Sequence, residues 1–203
     1  TYLISLVVTI GNIYGQGDLF ISDLNGFHLS GQISSTKEST LIGISPAYSM
    51  NDKFTFGLTL GFEESKSFDF SSTAIRPYIG FMALRQGVKE SPINLSLGAA
   101  YQHKIISDLD DVTLNSIGIN VSLSHIIESS DNLKIAPIAG ISWTRSTVIW
   151  YYSPGYKDSI SGGGVGFGFG LSFIINQMFI TPIVNFSDGS SAFTLMIGYT
   201  FPN

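Results

Sequence analysis

Apolar residues alternate with small or polar residues, at a period of two, over much of this chain. Between Phe54 and Glu63, Phe or Leu at every second position alternates with Thr, Gly or Glu, and segments 165–173 and 193–201 repeat the pattern. Successive side chains of a β-strand point to opposite faces, so each segment has one apolar face and one small or polar face. A helix would scatter both classes around its circumference, and each internal glycine would cost it about 1 kcal/mol. The alternation therefore predicts an all-β chain.

Further segments carry the same alternation less regularly, which brings the prediction to about ten strands of roughly ten residues, the length that a tilted strand needs to cross a membrane. These further segments are 26–35, 40–50, 74–84, 93–104, 114–127, 133–145 and 179–187. The predicted fold is an antiparallel up-and-down transmembrane β-barrel of about ten strands, with eight strands as the alternative. The barrel is expected over residues 26–201, after a lead-in over 17–25.

The scarcity of charge predicts which face of the sheet meets lipid. Only 12% of the residues are charged, against roughly 25% in an ordinary soluble domain. Segments 159–187 and 189–203 contain no charged residue at all. We therefore expect the Phe, Leu and Ile side chains to face lipid and the small side chains to face a lumen, with the sheet closed so that every backbone group is paired. This predicts a bacterial outer-membrane protein in contact with outer-membrane lipid.

The strand connections are expected to alternate between short turns on one rim and longer loops on the other, with residues 147–163 as the longest loop. Four prolines fall inside predicted strands, where each removes a ladder hydrogen bond. These prolines are Pro46, Pro77, Pro137 and Pro182. Bulges or local fraying are expected to accommodate them.

The chain begins with an uncharged, apolar stretch. Residues 1–16 resemble the apolar core and small-residue exit of a secretory signal peptide, and the alternative is a retained first strand or lumen segment. The absence of cysteine excludes disulfides and a cysteine-based zinc site. A net charge of −5 and a pI near 5.0 exclude nucleic acid as a partner.

The segments Ser45–Tyr48, Asn51–Phe54 and Gly57–Phe62 carry a family resemblance. They resemble the Pro-x-Tyr strand, the Asn/Asp turn and the Gly-Leu-x-Leu-Gly strand of the outer membrane protein β-barrel domain family of Bacteroidetes-type bacteria, which are Gram-negative. Segment 193–201 is similar to the assembly signal at the end of such barrels, although Pro202 and Asn203 follow it here. The resemblance covers residues 26–201 and implies a small OmpA- or OmpX-like transmembrane barrel, without an activity.

Two sets of side chains are candidate functional residues. Glu63 and Arg76 are expected to face the lumen and to pair across a hairpin, either as a charge constriction or as a structural ion pair. An aromatic set in the longest loop is expected either to contact a partner or ligand or only to extend the outer aromatic girdle. It consists of Trp150, Tyr151, Tyr152 and Tyr156.

The predicted function is non-enzymatic: a narrow pore, a structural protein or an accessory subunit that contacts other outer-membrane proteins. No cofactor and no metal site are predicted, because none of the three histidines has a metal-binding spacing. The alternative is an outer-membrane hydrolase. His28 and Ser30 are faintly similar to the His-x-Ser dyad of lipid A deacylases, and His103 with Asp108, Asp110 and Asp111 to an omptin-type protease site.

Overall fold

A computed structural model describes residues 25–66, 71–107, 112–153, 156–187 and 190–202. The strands are β1 Gly26–Thr36, β2 Ser39–Met50, β3 Phe54–Ser65, β4 Ser71–Leu84, β5 Asn94–Ile106, β6 Val112–Ser124, β7 Ile127–Ser130, β8 Leu133–Ser153, β9 Tyr156–Ile175, β10 Met178–Ser187 and β11 Ser190–Pro202. The signal-like segment 1–16 and most of the lead-in lie outside the described residues. Within those residues, no helix is long and apolar enough to cross a membrane.

The ten long strands form one closed antiparallel barrel, as the alternation predicts. β1 pairs with both β2 and β11, so the first and last strands meet. β6 pairs with β8, and the four-residue β7 adds a short extra strand to the end of β8. We call the rim that holds Gly26 and Pro202 the lower rim and the opposite rim the upper rim.

The register fixes the tilt of the strands. Starting at Gly31 on β1, we step from each residue to its paired residue on the next strand around the barrel. In the direction that begins with β2 and passes through β8, the steps reach Ser161 on β9, and in the opposite direction, through β11 and β10, they reach Phe173. The two end points are twelve residues apart along β9. A barrel closed with such a stagger has its strands tilted by roughly 35–45° from the barrel axis.

The strand prolines interrupt the ladder without shifting it. Pairing between β2 and β3 skips Pro46, yet Ile44 opposite Leu60 and Ala47 opposite Gly57 keep the same register. Pairing is likewise skipped at Pro77 and at Pro182. The missing N–H thus removes pairing locally at these three prolines, which agrees with the expected local fraying, and the ladder shows no bulge there. Pro137 stays paired with Leu171 of β9 in an unbroken register.

The two faces of the barrel wall have the predicted polarity. Outward positions carry large apolar side chains, such as Ile42 and Phe169, which are 57% and 58% exposed. Inward positions carry mainly small or polar side chains, among them Ser45, Ser122 and Thr200. Aromatic rings cluster on the outer surface at the lower rim, where the Phe27 and Phe201 centroids are 5.8 Å apart. This surface matches an apolar band with an aromatic girdle at its edge.

Candidate functional site

A buried ion pair crosses the upper lumen. Lys104 Nζ on β5 donates to Glu63 Oε2 on β3 at 2.5 Å, and both side chains are almost fully buried. β4 runs between these strands and places Ser72 opposite Glu63 and Ala74 opposite Lys104. Because both of these side chains are small, the lysine can reach over β4 to the carboxylate.

Arg76 also faces the lumen, as predicted, and is 8% exposed. The register sets it opposite Thr59, whereas Glu63 lies opposite Ser72, so the two charged residues are not direct cross-strand neighbours. Their predicted pairing stays a prediction. Among the described residues, the buried Lys, Arg, Asp and Glu side chains are Glu63, Arg76 and Lys104. Two basic side chains thus accompany one acidic side chain here, although the whole chain is acidic.

The wall formed by β5 and β6 holds buried polar atoms without hydrogen-bond partners. They are Gln102 Nε2, Asn120 Nδ2 and Ser122 Oγ, and Ser72 Oγ on β4, opposite Ile106, is a further such atom higher in the lumen. The small residues Gly98, Ala100 and Gly118 separate them along the two strands. Buried amide and hydroxyl groups are normally satisfied by protein or water, so this wall is suited to holding water or a polar solute.

Apolar side chains occupy the lower lumen. The ring of Phe179 lies over Gly198, where an added Cβ would be 2.1 Å from the ring, and Tyr78 covers Gly57 in the same way. Phe179 packs with Ile174, Ile183 and Met196 in one buried cluster. A cavity of about 20 Å³ beside Tyr78 and Phe179 has room for about one water molecule.

The hydrolase candidates lie in two separate places. His28 and Ser30 are buried inside the barrel near the lower rim. His28 Nδ1 is 2.8 Å from the Thr200 hydroxyl, and Ser30 Oγ donates to the Ser45 carbonyl at 3.4 Å. His103 lies on the outward side of β5, with Nδ1 2.8 Å from Asn115 Oδ1. Asp108, Asp110 and Asp111 lie outside the described residues.

The expected loop over 147–163 is wrong, because residues 147–153 belong to β8 and residues 156–163 to β9, which extend as a long hairpin. Trp150, Tyr151 and Tyr152 lie on β8, and Tyr156 begins β9. The three of them whose side chains the structure describes do not share one surface: Trp150 packs inward, whereas Tyr151 is outward and Tyr156 is 76% exposed. Polar residues near the tip suggested a loop, but the cross-strand pairing continues through them.

The polarity of the wall reverses along this hairpin. Below Trp143 the outward side chains are apolar, but above it they are mainly polar. The apolar exceptions above it are Ile149 and Tyr151 on β8 and, on the neighbouring wall, Ile105 on β5, which is 52% exposed. The outward polar residues are Asn115, Arg145, Thr147, Lys157, Ser159 and Ser161. The inward side becomes apolar at the same height, where Val148 packs with Ile106, Val112 and Leu114. The outward face of the upper hairpin therefore suits water, and its inward face packs against apolar side chains of β5 and β6.

Sequence reasoning missed Lys104 and the upper hairpin. Lys104 ends the predicted strand 93–104, and it shares the inward parity of Asn94, Ser96 and Gly98. A single lysine among small inward residues is a signal that could have identified it. Its partner depends on the strand order, which the alternation alone does not provide.

Comparisons with known proteins support the fold. No protein-family model matches the chain, and no curated protein matches it. A bacterial polysaccharide outer membrane secretin matches with a TM-score of 0.50 at 7% identity, over 87% of this chain and 65% of that one. The N-terminal β-barrel domain of Pseudomonas aeruginosa OprF matches with a TM-score of 0.41 at 11% identity, over 88% and 98%. The KdgM porin in complex with oligogalacturonate matches with a TM-score of 0.42 at 10% identity, over 86% of this chain and 99% of that one. At these identities the likeness concerns the fold alone: the chain has the closed barrel architecture found in outer-membrane proteins.

Proposed function

We propose that this chain spans the bacterial outer membrane as a non-enzymatic barrel and acts as an accessory subunit that presents the β8–β9 hairpin above the lipid. The observation that carries the proposal is the reversal of wall polarity at Trp143. Below it, an apolar outward stretch such as Phe54–Phe62 covers a height of roughly 20–25 Å when tilted, which suits the hydrocarbon band of an outer membrane. Above it, the outward side chains suit water.

The packing of the lumen favours an accessory role over transport. Phe179 and Tyr78 lie across inward glycines, and Met196 is fully buried beside Phe179. Small-residue walls would leave a ten-strand barrel some free space, but these large side chains take it up in the lower half. The exposed hairpin is then the part of the molecule best placed to contact another protein.

Single cysteines test the proposed placement, because the chain contains no cysteine of its own. A membrane-impermeant maleimide should label Thr147→Cys and Ser159→Cys in intact cells. It should not label Phe167→Cys, whose side chain faces the proposed lipid. Lys53→Cys, in the turn between β2 and β3 at the lower rim, should react only after the outer membrane is permeabilised. Labelling of Phe167→Cys, or of Lys53→Cys alone in intact cells, would contradict the placement.

Extraction in mild detergent tests the accessory role. We expect a defined protein to co-purify with the wild-type chain and to be lost when Tyr151→Ala and Tyr156→Ala are combined. The matched control is Tyr48→Ala, an exposed aromatic near the lower rim. Equal recovery of the same protein with both variants would rule out the hairpin as its contact.

A narrow pore is the second candidate, and the polar wall around Gln102 and Asn120 favours it. Planar-bilayer recordings of the purified barrel separate the two functions. The accessory role predicts no steady conductance steps, because the lower lumen is packed with apolar side chains. Regular steps that the more bulky variant Gly168→Leu reduces would favour the pore, since Gly168 faces the lumen on β9.

A further inference from the structure

The upper half of β9 is bonded on one side only. β8 pairs with β9 along its whole length, up to Ser153 opposite Tyr156. β10 pairs with β9 only from Gly166 to Ile175. In the part of the chain that the structure describes, residues 156–165 therefore form an open strand edge above the polarity reversal. A long unpaired edge is a template for another strand.

The direction of the backbone groups on this edge follows from the ladder. Asn176 N–H donates to the Asn132 carbonyl at the start of the β8–β9 hairpin, so even-numbered residues of β9 bond to β8. Backbone groups alternate in direction along a strand, so odd-numbered residues point the other way. The N–H and C=O groups directed to the open edge are those of Lys157, Ser159, Ser161, Gly163 and Val165.

The two faces beside the edge define what a partner strand must carry. On the inward face of β9, Ile160 packs with Val148 and Trp150 of β8 above the lumen, whereas Tyr156 and Asp158 nearer the tip are exposed. The outward face presents Lys157, Ser159 and Ser161, all exposed, and the apolar Val165 below them. A strand added to this edge continues both faces, so beside Ser159–Ser161 its side chains must be apolar on the inward side and polar on the outward side. Gly163 and Gly164 place no bulky side chain beside the approaching backbone.

We propose that this edge binds an extended segment of another protein, with alternating apolar and polar residues, as an added β-strand. The inference rests on the proposed function, since it needs the hairpin to stand outside the lipid. The mode is β-strand addition, in which main-chain bonds provide affinity and the alternate side chains provide selectivity.

A second copy in the same membrane does not fit this edge. Two copies in one membrane are related by an axis along the membrane normal. If two identical edges pair antiparallel, the symmetry axis that relates the two copies must be perpendicular to the strands, and if they pair parallel, it must run along the strands. The strands here are tilted by roughly 35–45° from the membrane normal, so an axis along the normal is neither perpendicular nor parallel to them.

The test uses the full-length chain in lipid nanodiscs and a fluorescent ten-residue peptide that alternates Ile with Thr, with a lysine at each end. A peptide of the same composition with the Ile residues contiguous is the control ligand. The variant Ser159→Pro/Ser161→Pro removes two edge-directed N–H groups and leaves the backbone bonds to β8 in place, although it loses the side-chain bond of Ser161 to Thr147. Its matched control, Ser159→Ala/Ser161→Ala, removes the side chains and keeps the N–H groups.

We expect the alternating peptide to bind saturably to the wild type and to the alanine variant, and at least about tenfold more weakly to the proline variant. Amide exchange on the wild-type chain gives a second readout that needs no variant. The N–H groups of the odd residues from Lys157 to Val165 should exchange fast in the free protein and slow down when the peptide is added.

The proposal is overturned if the proline variant binds as the wild type does, if both peptides bind equally, or if the odd N–H groups gain no protection. Dimerisation through the edge, seen by sedimentation and lost in the proline variant, would make the occupant a second copy and also overturn it. Maleimide labelling of Ser159→Cys in intact cells is independent of the peptide. Labelling without peptide binding would therefore reject this inference alone and leave the proposed placement standing.

Discussion

At the scale of single residues, the stability of the upper lumen depends on the Glu63 carboxylate, the acidic member of the buried Glu63–Lys104 pair. Glu63→Gln leaves Lys104 and Arg76 as the buried charges of the upper lumen, without a described buried anion. Removing one member of a buried pair typically destabilises a protein by about 3–5 kcal/mol, because the remaining charge stays desolvated. Urea unfolding in lipid vesicles should show this loss. Glu63→Gln combined with Lys104→Met should recover a large part of it.

The matched control for this prediction lies one residue further along β3. Glu64 faces outward and is exposed, so Glu64→Gln should change the free energy of unfolding by no more than about 0.5 kcal/mol. If the two glutamine variants unfolded at the same urea concentration, the buried pair would have no special role in stability.

A second residue-scale prediction concerns the glycines under aromatic rings. Gly198→Ala places a methyl group 2.1 Å from the Phe179 ring and should destabilise the barrel by about 1–3 kcal/mol through overpacking. Gly31→Ala is the control, because its nearest neighbour would be 4.0 Å away. The same vesicle unfolding assay measures both, and equal midpoints would show that Phe179 moves aside freely.

At the scale of elements, the apolar cluster above the lumen should hold the upper hairpin together. Val148 is 1% exposed and packs against β5 and β6, so Val148→Ala should cost about 1–3 kcal/mol of local stability. We expect faster amide exchange at the even residues of 156–165, which bond to β8. Exchange over 166–175, which β10 also protects, should not change. A uniform acceleration along β9 would indicate that the hairpin has no separate stability.

The sequence predicts the strands much better than it predicts the contacts between them. The alternation from Phe54 to Phe62 arises within one strand, which has lipid on one side and the lumen on the other. The period of two in the sequence therefore identifies this strand directly. The pattern fails over 147–163 because the apolar side of the wall changes from outward to inward there. Lys104 and Glu63 are 41 residues apart in the chain, and only the strand order brings them together.

At the scale of the whole molecule, the apolar band sets where charge is tolerated. Phe169 is outward in the middle of β9, so Phe169→Arg should destabilise the barrel in vesicles by about 2–4 kcal/mol. Thr147→Arg lies beside Arg145 above the proposed band and should cost less than about 1 kcal/mol. In a thicker bilayer the cost of Thr147→Arg should rise, because the acyl chains then reach higher. Equal costs for both variants would place the band elsewhere.

The pairing of β1 with β11 has a consequence for the order of folding. Gly26 bonds beside Pro202, so this seam joins the two ends of the barrel chain and cannot form until all strands have been made. Local hairpins can assemble early, but closure awaits the most distant pairing and should set the rate. Until the barrel closes, β1 and β11 are both unpaired edge strands. A chain that remains in this open form is prone to aggregate rather than to insert into the membrane.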